Sequence, residues 1–234
     1  MVAMNLIRER RARSAYGRQS PVRPTFLRPT FLLALALLLG IAAPAPARPL
    51  RLVALGDSLT AGYLLPADAA FPAQLQRALQ ARGFDVEIAN AGVSGDTSSG
   101  ALERLDWALG GECDGVLVEI GANDMLRGTD PALTRQNIEA ILARLRSRNI
   151  PAFLAGMRAA PNLGPEYAAK FDAIYPDLAK KYDAAFYPFF LDGVAGRPER
   201  QLPDGMHPNR EGVAIIVAGI LPEVTAWLER VQKK

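Results

Sequence analysis

The sequence has little of two reactive residue types, with one histidine and one cysteine among 234 residues. A lone cysteine excludes an internal disulfide, and its place before an apolar run favours a buried or half-buried, inert thiol at Cys113. One His and one Cys cannot form the usual zinc ligand sets, so we expect neither a metal nor another cofactor. Any serine chemistry that depends on an imidazole must therefore use His207.

Residues 1–47 differ in composition from the rest of the chain. Seven arginines precede an apolar run from Phe31 to Ala43, and Ala45-Pro46-Ala47 follows it. This order is typical of a secretory signal peptide, and 13 apolar residues are fewer than the roughly 20 that span a bilayer. We expect residues 1–47 to be removed and the protein to be periplasmic or secreted, with no stable membrane anchor. The alternative is an anchor that is not cleaved.

The charge balance changes once this segment is set aside. Residues 1–47 contain seven of the 27 basic and one of the 24 acidic side chains, so the remainder has 20 basic and 23 acidic groups, a net charge of −3. No basic face then remains to suggest nucleic acid as a partner. Residues 48–234 suffice for one domain with a substantial core, which we expect to be a monomer.

Short apolar runs alternate with longer amphipathic segments throughout residues 48–234. The runs predict strands at Leu50–Gly56, Val86–Ala91, Gly115–Gly121, Pro151–Met157 and Ala184–Phe190. The amphipathic segments predict helices at 67–82, 99–109, 132–148, 165–181 and 209–231. Five strands alternating with five helices indicate an α/β fold, a three-layer α/β/α sandwich around a doubly wound, five-stranded parallel sheet of flavodoxin-like type.

Polar motifs follow the first three predicted strands. Gly56-Asp57-Ser58, Gly92 to Asp96 and Gly121 to Asp124 each come where a strand ends, and Asp204 to His207 lies before the last helix. In open parallel sheets ligands bind beyond the carboxyl ends of the strands. We therefore expect these distant segments to meet at one edge of the sheet.

Together these segments supply the groups that acyl transfer requires. Ser58 at a strand-to-helix turn would be the nucleophile, His207 the base and Asp204 its orienting acid. The backbone N–H groups of Ser58 and Gly95 and the side-chain amide of Asn123 would form an oxyanion hole. Each residue also has a simpler interpretation: Ser58 as a helix N-cap, Gly95 as a turn glycine, Asn123 in an Asx turn. The remaining aspartates of these loops are interpreted as structural, namely Asp57, Asp96 and Asp124.

The ordered motifs resemble the four blocks of the SGNH (GDSL-type) hydrolases. They are Gly56-Asp57-Ser58-Leu59, Ser94-Gly95-Asp96, Gly121-Ala122-Asn123-Asp124 and Asp204-Gly205-Met206-His207-Pro208. The chain looks most similar to the exported acyl-CoA thioesterase/lysophospholipase/arylesterase subgroup, over essentially all of residues 50–230. The resemblance implies the roles given above for Ser58, His207, Asp204, Gly95 and Asn123.

Three residues depart from the subgroup pattern: Ala122 and Met125 stand where glycine is common, and Phe71 replaces a frequent tryptophan. They affect the expected acyl chain-length preference rather than the chemistry. Apolar residues near the motifs are our candidates for binding a single acyl chain: Leu64, Phe71, Met125, Leu126, Met157 and Leu163.

The expected substrate is a small-molecule acyl ester or thioester, with aryl esters, acyl-CoA and lysophospholipids implied by the resemblance. Two alternatives stay open. The first is a carbohydrate O-acetylesterase of the same fold, although the aliphatic residues near the motifs argue against a sugar site. The second is a non-catalytic module in which Gly56–Ser58 holds an anion. A classical α/β-hydrolase is disfavoured, because the sequence has no Gly-x-Ser-x-Gly motif.

Overall fold

The computed structural model of the chain describes residues 48–233. These residues form one five-stranded sheet in the order β2-β1-β3-β4-β5, and every neighbouring pair is parallel. The strands are β1 Leu50–Gly56, β2 Val86–Gly92, β3 Gly115–Glu119, β4 Ala152–Ala155 and β5 Ala185–Tyr187. The α/β class and the doubly wound parallel sheet are confirmed. The signal peptide predicted at residues 1–47 lies outside the described residues.

Helices cover both faces of the sheet. The α-helices are α1 Ser58–Ala61, α2 Phe71–Gln80, α3 Ser98–Glu103, α4 Leu105–Leu109, α5 Ala122–Leu126, α6 Pro131–Ser147, α7 Pro165–Asp172, α8 Ile174–Tyr182 and α9 Arg210–Val231. Helix α2 packs against α9 in one layer, whereas α3, α7 and α8 pack against α6 in the other. The central strands β1, β3 and β4 are mostly buried and apolar, because helices cover both faces of the sheet.

Several predicted boundaries were wrong for identifiable reasons. The predicted helix 67–82 is a 3₁₀ turn at Ala67–Ala69 followed by α2, in which Pro72 occupies the first turn, where its missing N–H is tolerated. The predicted helix 165–181 is two helices, α7 and α8. Pro176 has no N–H to donate to the carbonyl of Asp172, and its ring crowds that carbonyl. The predicted helix 99–109 also divides, at Arg104.

The last helix is both long and apolar. By length and composition α9 could cross a membrane, but half of its most apolar stretch is buried in the fold. Ile216, Ile220, Val224, Trp227 and Leu228 recur at the three- and four-residue spacing of one helical face and are all buried. This helix therefore contributes a face to the core, and its N-terminus follows directly on the His207 segment.

Strand register brings the ends of the three central strands together. Gly56 at the end of β1 lies beside Gly92 of β2 on one side and Glu119 of β3 on the other. Since the polar motifs follow these strands, their loops begin at the same level of the sheet. The carboxyl edge of the sheet thus assembles segments that are far apart in the sequence.

Candidate active site

Ser58 begins helix α1 directly after the buried strand β1. Asp57 caps the helix by accepting the N–H of Leu59 at 2.9 Å through Oδ1. The interpretation of Ser58 as the N-cap was therefore wrong, because Asp57 has that role. As the first helical residue, Ser58 has an N–H that helix geometry leaves without an intrahelical acceptor. Its side chain is largely buried but faces a cavity.

The Ser58 hydroxyl contacts the only imidazole of the chain. Its Oγ lies 2.8 Å from Nε2 of His207, and Nδ1 of His207 lies 2.7 Å from Oδ2 of Asp204. An ionised carboxylate only accepts hydrogen bonds, so Nδ1 carries a hydrogen and Nε2 is free to accept from the hydroxyl. This is the geometry in which an imidazole can take the serine proton.

A tight local turn holds the Asp204 carboxylate. Its Oδ1 accepts the backbone N–H groups of His207 at 3.0 Å and Met206 at 2.9 Å. Those two N–H groups, together with the His207 ring, lower the pKa of Asp204 to about 2. The carboxylate therefore stays ionised at neutral pH and can support an imidazolium on His207.

The tilted ring of Tyr63 packs on His207. The two ring centroids are 4.4 Å apart with an interplanar angle of 35°. This contact restricts rotation of the imidazole. Sequence analysis missed Tyr63 as a site residue, although an aromatic residue five positions after the serine is a visible feature of the first motif.

Two potential oxyanion donors lie in the same cavity wall as Ser58. Gly95 and Asn123 both line it, as predicted from their loops. Gly95 has a φ of +82°, a left-handed conformation that disfavours any side chain, and an added Cβ would meet no atom closer than 3.9 Å. The backbone conformation, not close approach, is what requires glycine at this position.

The side-chain amide of Asn123 is oriented by Asp57. Its Nδ2 donates to Oδ2 of Asp57 at 3.2 Å. An amide nitrogen carries two hydrogens, so this bond leaves one for another acceptor. Burial raises the pKa of Asp57 to about 6, against the opposing effect of the N–H of Leu59 and the amide of Asn123.

A second buried carboxyl lies beneath this loop. Glu119 accepts the hydroxyl of Thr60 at 2.8 Å through Oε2, while its Oε1 has no partner among the described residues. Full burial, and then the nearby charge of Asp57, hold the pKa of Glu119 well above its usual range. Gly56 makes the arrangement possible, because a Cβ there would lie 2.1 Å from the Thr60 hydroxyl. An acid inside an otherwise apolar strand was the available sequence signal.

The other loop aspartates are structural, as interpreted from the sequence. Asp96 forms a half-buried ion pair with Arg104 at 2.7 Å, and Arg104 also donates to the carbonyls of Ala91 and Gly56. Asp124 accepts the N–H and hydroxyl of Ser98. These bonds join the loops after β1, β2 and β3 to one another.

The cavity beside Ser58 has a volume of about 530 Å³ and mostly apolar walls. Of the six residues predicted to bind an acyl chain, Met125, Leu126 and Met157 line it. Phe71 does not, because it is buried in the core against the ring of Phe190 at 4.9 Å. Leu64 points into solvent with 75% of its surface exposed, and Leu163 packs against the core outside the cavity wall.

Further lining residues were not predicted. They come mainly from the segments after β4 and β5 and include Arg158, Ala160, Pro161, Phe189 and Leu191. Within residues 48–233, no group of three or more His, Cys, Asp or Glu side chains is arranged to hold a metal ion. Cys113 lies outside the cavity lining and is half-buried, and burial raises the pKa of its thiol, which fits the predicted inert role.

Known proteins share both the sequence and the fold. A family model described as the GDSL-like lipase/acylhydrolase family matches residues 54–215. Thioesterase 1/protease 1/lysophospholipase L1 of Escherichia coli (strain K12) is 42% identical over 166 residues, which cover 70% of this chain and 78% of that protein. The arylesterase of Vibrio mimicus is 36% identical over 179 residues, or 76% and 90% of the two chains.

A solved structure is similar to this chain in both fold and sequence. The crystal structure of AlinE4, an SGNH-hydrolase family esterase, superposes with a TM-score of 0.66 at 44% sequence identity. The match covers 78% of this chain and 98% of that one. Both the fold and the sequence are therefore similar to those of a known ester hydrolase.

Proposed function

Because the chain belongs to the GDSL-like lipase/acylhydrolase family of ester hydrolases, we propose that it cleaves acyl esters and thioesters through an acyl-enzyme on Ser58. The observation that carries this proposal is the relay from Ser58 Oγ to His207 Nε2 at 2.8 Å and from His207 Nδ1 to Asp204 at 2.7 Å. It lies at the wall of an apolar cavity.

In the first half-reaction Ser58 Oγ attacks the carbonyl carbon of the substrate as its proton passes to Nε2 of His207. The resulting imidazolium is stabilised by the ionised Asp204 and returns the proton to the leaving alcohol or thiol. The bond from the carbonyl carbon to the leaving group breaks, and the acyl group remains on Ser58. Water then attacks the acyl carbon as its proton passes to Nε2 of His207. The bond from that carbon to Ser58 Oγ breaks, the proton returns from His207 to Oγ, and the carboxylic acid is released.

Negative charge develops on the former carbonyl oxygen in both tetrahedral intermediates. The N–H of Ser58, the N–H of Gly95 and the second hydrogen of the Asn123 amide are the proposed donors to that oxygen. The bond from Asn123 to Asp57 supports this role, because it positions the amide before substrate arrives. Preorganised donors stabilise the transition state without the cost of reorientation.

The cavity supports a single acyl chain as the bound group. Its volume of about 530 Å³ lies in the range of small-molecule sites, and Met125, Leu126 and Met157 offer apolar surface. Each buried methylene contributes about 0.8 kcal/mol. Aryl esters, thioesters and lysophospholipids are the proposed substrates. The aliphatic character of the lining disfavours the alternative of a carbohydrate acetylesterase.

We also propose that the protein is exported. The support is the composition of residues 1–47, with its arginines, apolar run and Ala45-Pro46-Ala47. N-terminal sequencing of the protein from a periplasmic or culture fraction tests this, with a start at Arg48 as the expected result. A start near Met1 in a membrane fraction would contradict it.

A fluorophosphonate probe tests the catalytic assignment. We expect covalent labelling of the wild type and of Ser94→Ala, in which a serine of the same cavity is removed, and no labelling of Ser58→Ala. Labelling of Ser58→Ala as strong as that of the wild type would contradict the role of Ser58. A chain-length series of p-nitrophenyl and CoA esters then ranks the proposed substrates.

A further inference from the structure

Exposed large apolar side chains are concentrated at one edge of the sheet. Among the described residues seven are exposed, and five of them lie in the segments that follow strands at the carboxyl edge. We call these five the apolar rim: Tyr63, Leu64, Val93, Leu126 and Met206. The other two, Trp107 and Leu133, lie in α4 and α6.

Three of the five rim residues belong to the wall of the 530 Å³ cavity, and the other two adjoin lining residues in the chain. Tyr63, Leu126 and Met206 line the cavity itself. Leu64 follows Tyr63 in the chain, and Val93 precedes the lining residue Ser94. Exposed apolar surface at Tyr63, Leu126 and Met206 therefore belongs to the cavity that holds the proposed active site.

The backbone holds Leu64 outward in an unfavourable conformation. Its φ is +55°, in the left-handed region that Asn and Gly adopt more readily than leucine. The turn is closed by the N–H of Leu65, which donates to the carbonyl of Gly62 at 2.9 Å. A strained turn that presents 75% of a leucine to solvent is unfavourable unless another apolar surface covers that side chain.

Positive charge accompanies the apolar rim. Arg158 is exposed and lines the same cavity, with its guanidinium 5.0 Å from the centroid of the Phe189 ring. No Asp, Glu or Lys is among the residues described as lining this cavity. A guanidinium at an apolar mouth suits a phosphate, which it binds through paired N–H groups.

We propose that the apolar rim docks on a phospholipid surface, with Leu64 and Leu126 among the acyl chains and Arg158 at a phosphate. Apolar side chains flanked by cations bind membrane interfaces in this way. A protein partner or a second copy on the rim would cover the cavity mouth, whereas a lipid surface can supply an acyl chain directly to it. The delivery of substrate rests on the proposed function; the docking itself does not.

Vesicle partitioning tests the docking. We expect the wild type to bind phosphatidylglycerol vesicles more tightly than phosphatidylcholine vesicles, and Leu64→Asn to weaken both by about tenfold. Asparagine is chosen because it tolerates the positive φ. Trp107→Asn is the matched control, since it removes a side chain that is 78% exposed elsewhere, and it should stay within twofold of the wild type. All variants share the same N-terminus, so its contribution cancels.

Two further measurements sharpen the test. Arg158→Gln should reduce the preference for anionic vesicles, because it removes the cation and keeps most of the side-chain length. Leu64→Asn should also lower turnover of micellar lysophospholipid relative to turnover of soluble p-nitrophenyl butyrate, whereas Trp107→Asn should not change this ratio.

Several results would overturn the proposal. They are no partitioning of the wild type, equal effects of Leu64→Asn and Trp107→Asn, or a dimer in sedimentation velocity that Leu64→Asn dissociates. Vesicle binding is read without turnover, so failure of Ser58 to label with a fluorophosphonate would count against the proposed function and not against docking.

Discussion

The two edges of the sheet each carry a large cavity, but they offer different chemistry. The cavity at the amino edge measures about 630 Å³ and is lined by groups such as Arg146, Asn149, Tyr182, Asp183 and Arg230. The one at the carboxyl edge is smaller, at about 530 Å³, yet it holds Ser58 and His207. None of the residues described as lining the amino-edge cavity is a serine, histidine or cysteine. Cavity size therefore does not locate the proposed active site.

The direction of the backbone explains the difference. At the carboxyl edge chains leave strands and enter helices, so N–H groups such as that of Ser58 have no intrahelical acceptor. At the amino edge helices end, and their free carbonyls favour cations, as with Arg146 in the last turn of α6 and Arg230 in that of α9. One edge is suited to stabilising a developing oxyanion, and the other is not.

The largest expected effect is the loss of the base at the carboxyl edge. His207→Ala should lower kcat on p-nitrophenyl butyrate by about 10⁴-fold or more, because Ser58 loses its proton acceptor. Arg230→Ala, at the larger cavity, should stay within twofold of the wild type. Circular dichroism should show both variants folded. If His207→Ala kept near-normal turnover, the assignment of chemistry to this edge would be wrong.

A smaller effect is expected for one oxyanion donor. Asn123→Ala should reduce kcat by about 10²–10³-fold with little change in KM, since the amide bond strengthens in the transition state. Asn149→Gly is the matched change at the amino edge, where glycine suits the positive φ of +57°. Its kinetics should equal those of the wild type. An equal loss in the two variants would point to a general effect on folding.

The two edges should also differ in how pH affects stability. Asp57 has a pKa raised from 3.8 to about 6 by burial, so the native state retains its proton longer than the unfolded state does. Its contribution to the free energy of unfolding is therefore full at low pH and falls as pH rises from about 4 to about 6. A difference of two units corresponds to roughly 3 kcal/mol.

At the amino edge Asp114 has the opposite behaviour. Its bond to Arg48 at 2.7 Å lowers the pKa of the carboxyl, so its contribution is present above 3.8 and is lost as pH falls below that value. Urea unfolding between pH 2.5 and 7 checks both signs. Relative to the wild type, Asp57→Asn should reduce the decrease in the free energy of unfolding between pH 4 and 6. Asp114→Asn should reduce the decrease in that free energy as pH falls below 3.8. If the contributions of the two residues to the free energy of unfolding changed with pH in the same direction, the contrast would be wrong.

The smallest effect concerns acyl length. Leu126→Ala removes apolar surface from the cavity wall and should lower kcat/KM for longer acyl esters by about two- to fivefold, with less change for acetate. Leu133→Ala removes a side chain of similar exposure, 49% against 59%, outside this cavity. It should leave the chain-length series unchanged. If kcat/KM for longer acyl esters fell equally in both variants, the role of Leu126 in binding the acyl chain would be contradicted.

The doubly wound parallel sheet and the meeting of Ser58 with His207 could be predicted because they depend on pattern and topology. Apolar runs bounded by glycines indicate parallel strands, and parallel strands bring their carboxyl ends to one edge. The break before Ile174 also had a signal, in Pro176, which rules out one helical hydrogen bond.

The acyl-binding residues could not be predicted as well. Leu64 and Phe71 lie near the first motif in sequence, but one points into solvent and the other into the core. Closeness along the chain does not determine which way a side chain faces when a turn with positive φ intervenes, as at Leu64. Arg158 and Phe189 lie outside the four ordered motifs, and the folded chain brings them to the cavity.

The compact turn at Asp204 also bears on how this architecture can diverge. All three hydrogen bonds of the carboxylate reach residues at most three positions away, whereas the Ser58–His207 contact joins residues 149 positions apart. Asp204 and His207 thus form one local unit of the chain, and its contact with Ser58 is long-range. Insertions and deletions between residues 96 and 203 leave that contact intact whenever the sheet edge is preserved. The intervening loops, which include part of the cavity lining, can therefore be remodelled while the contact between Ser58 and His207 is kept.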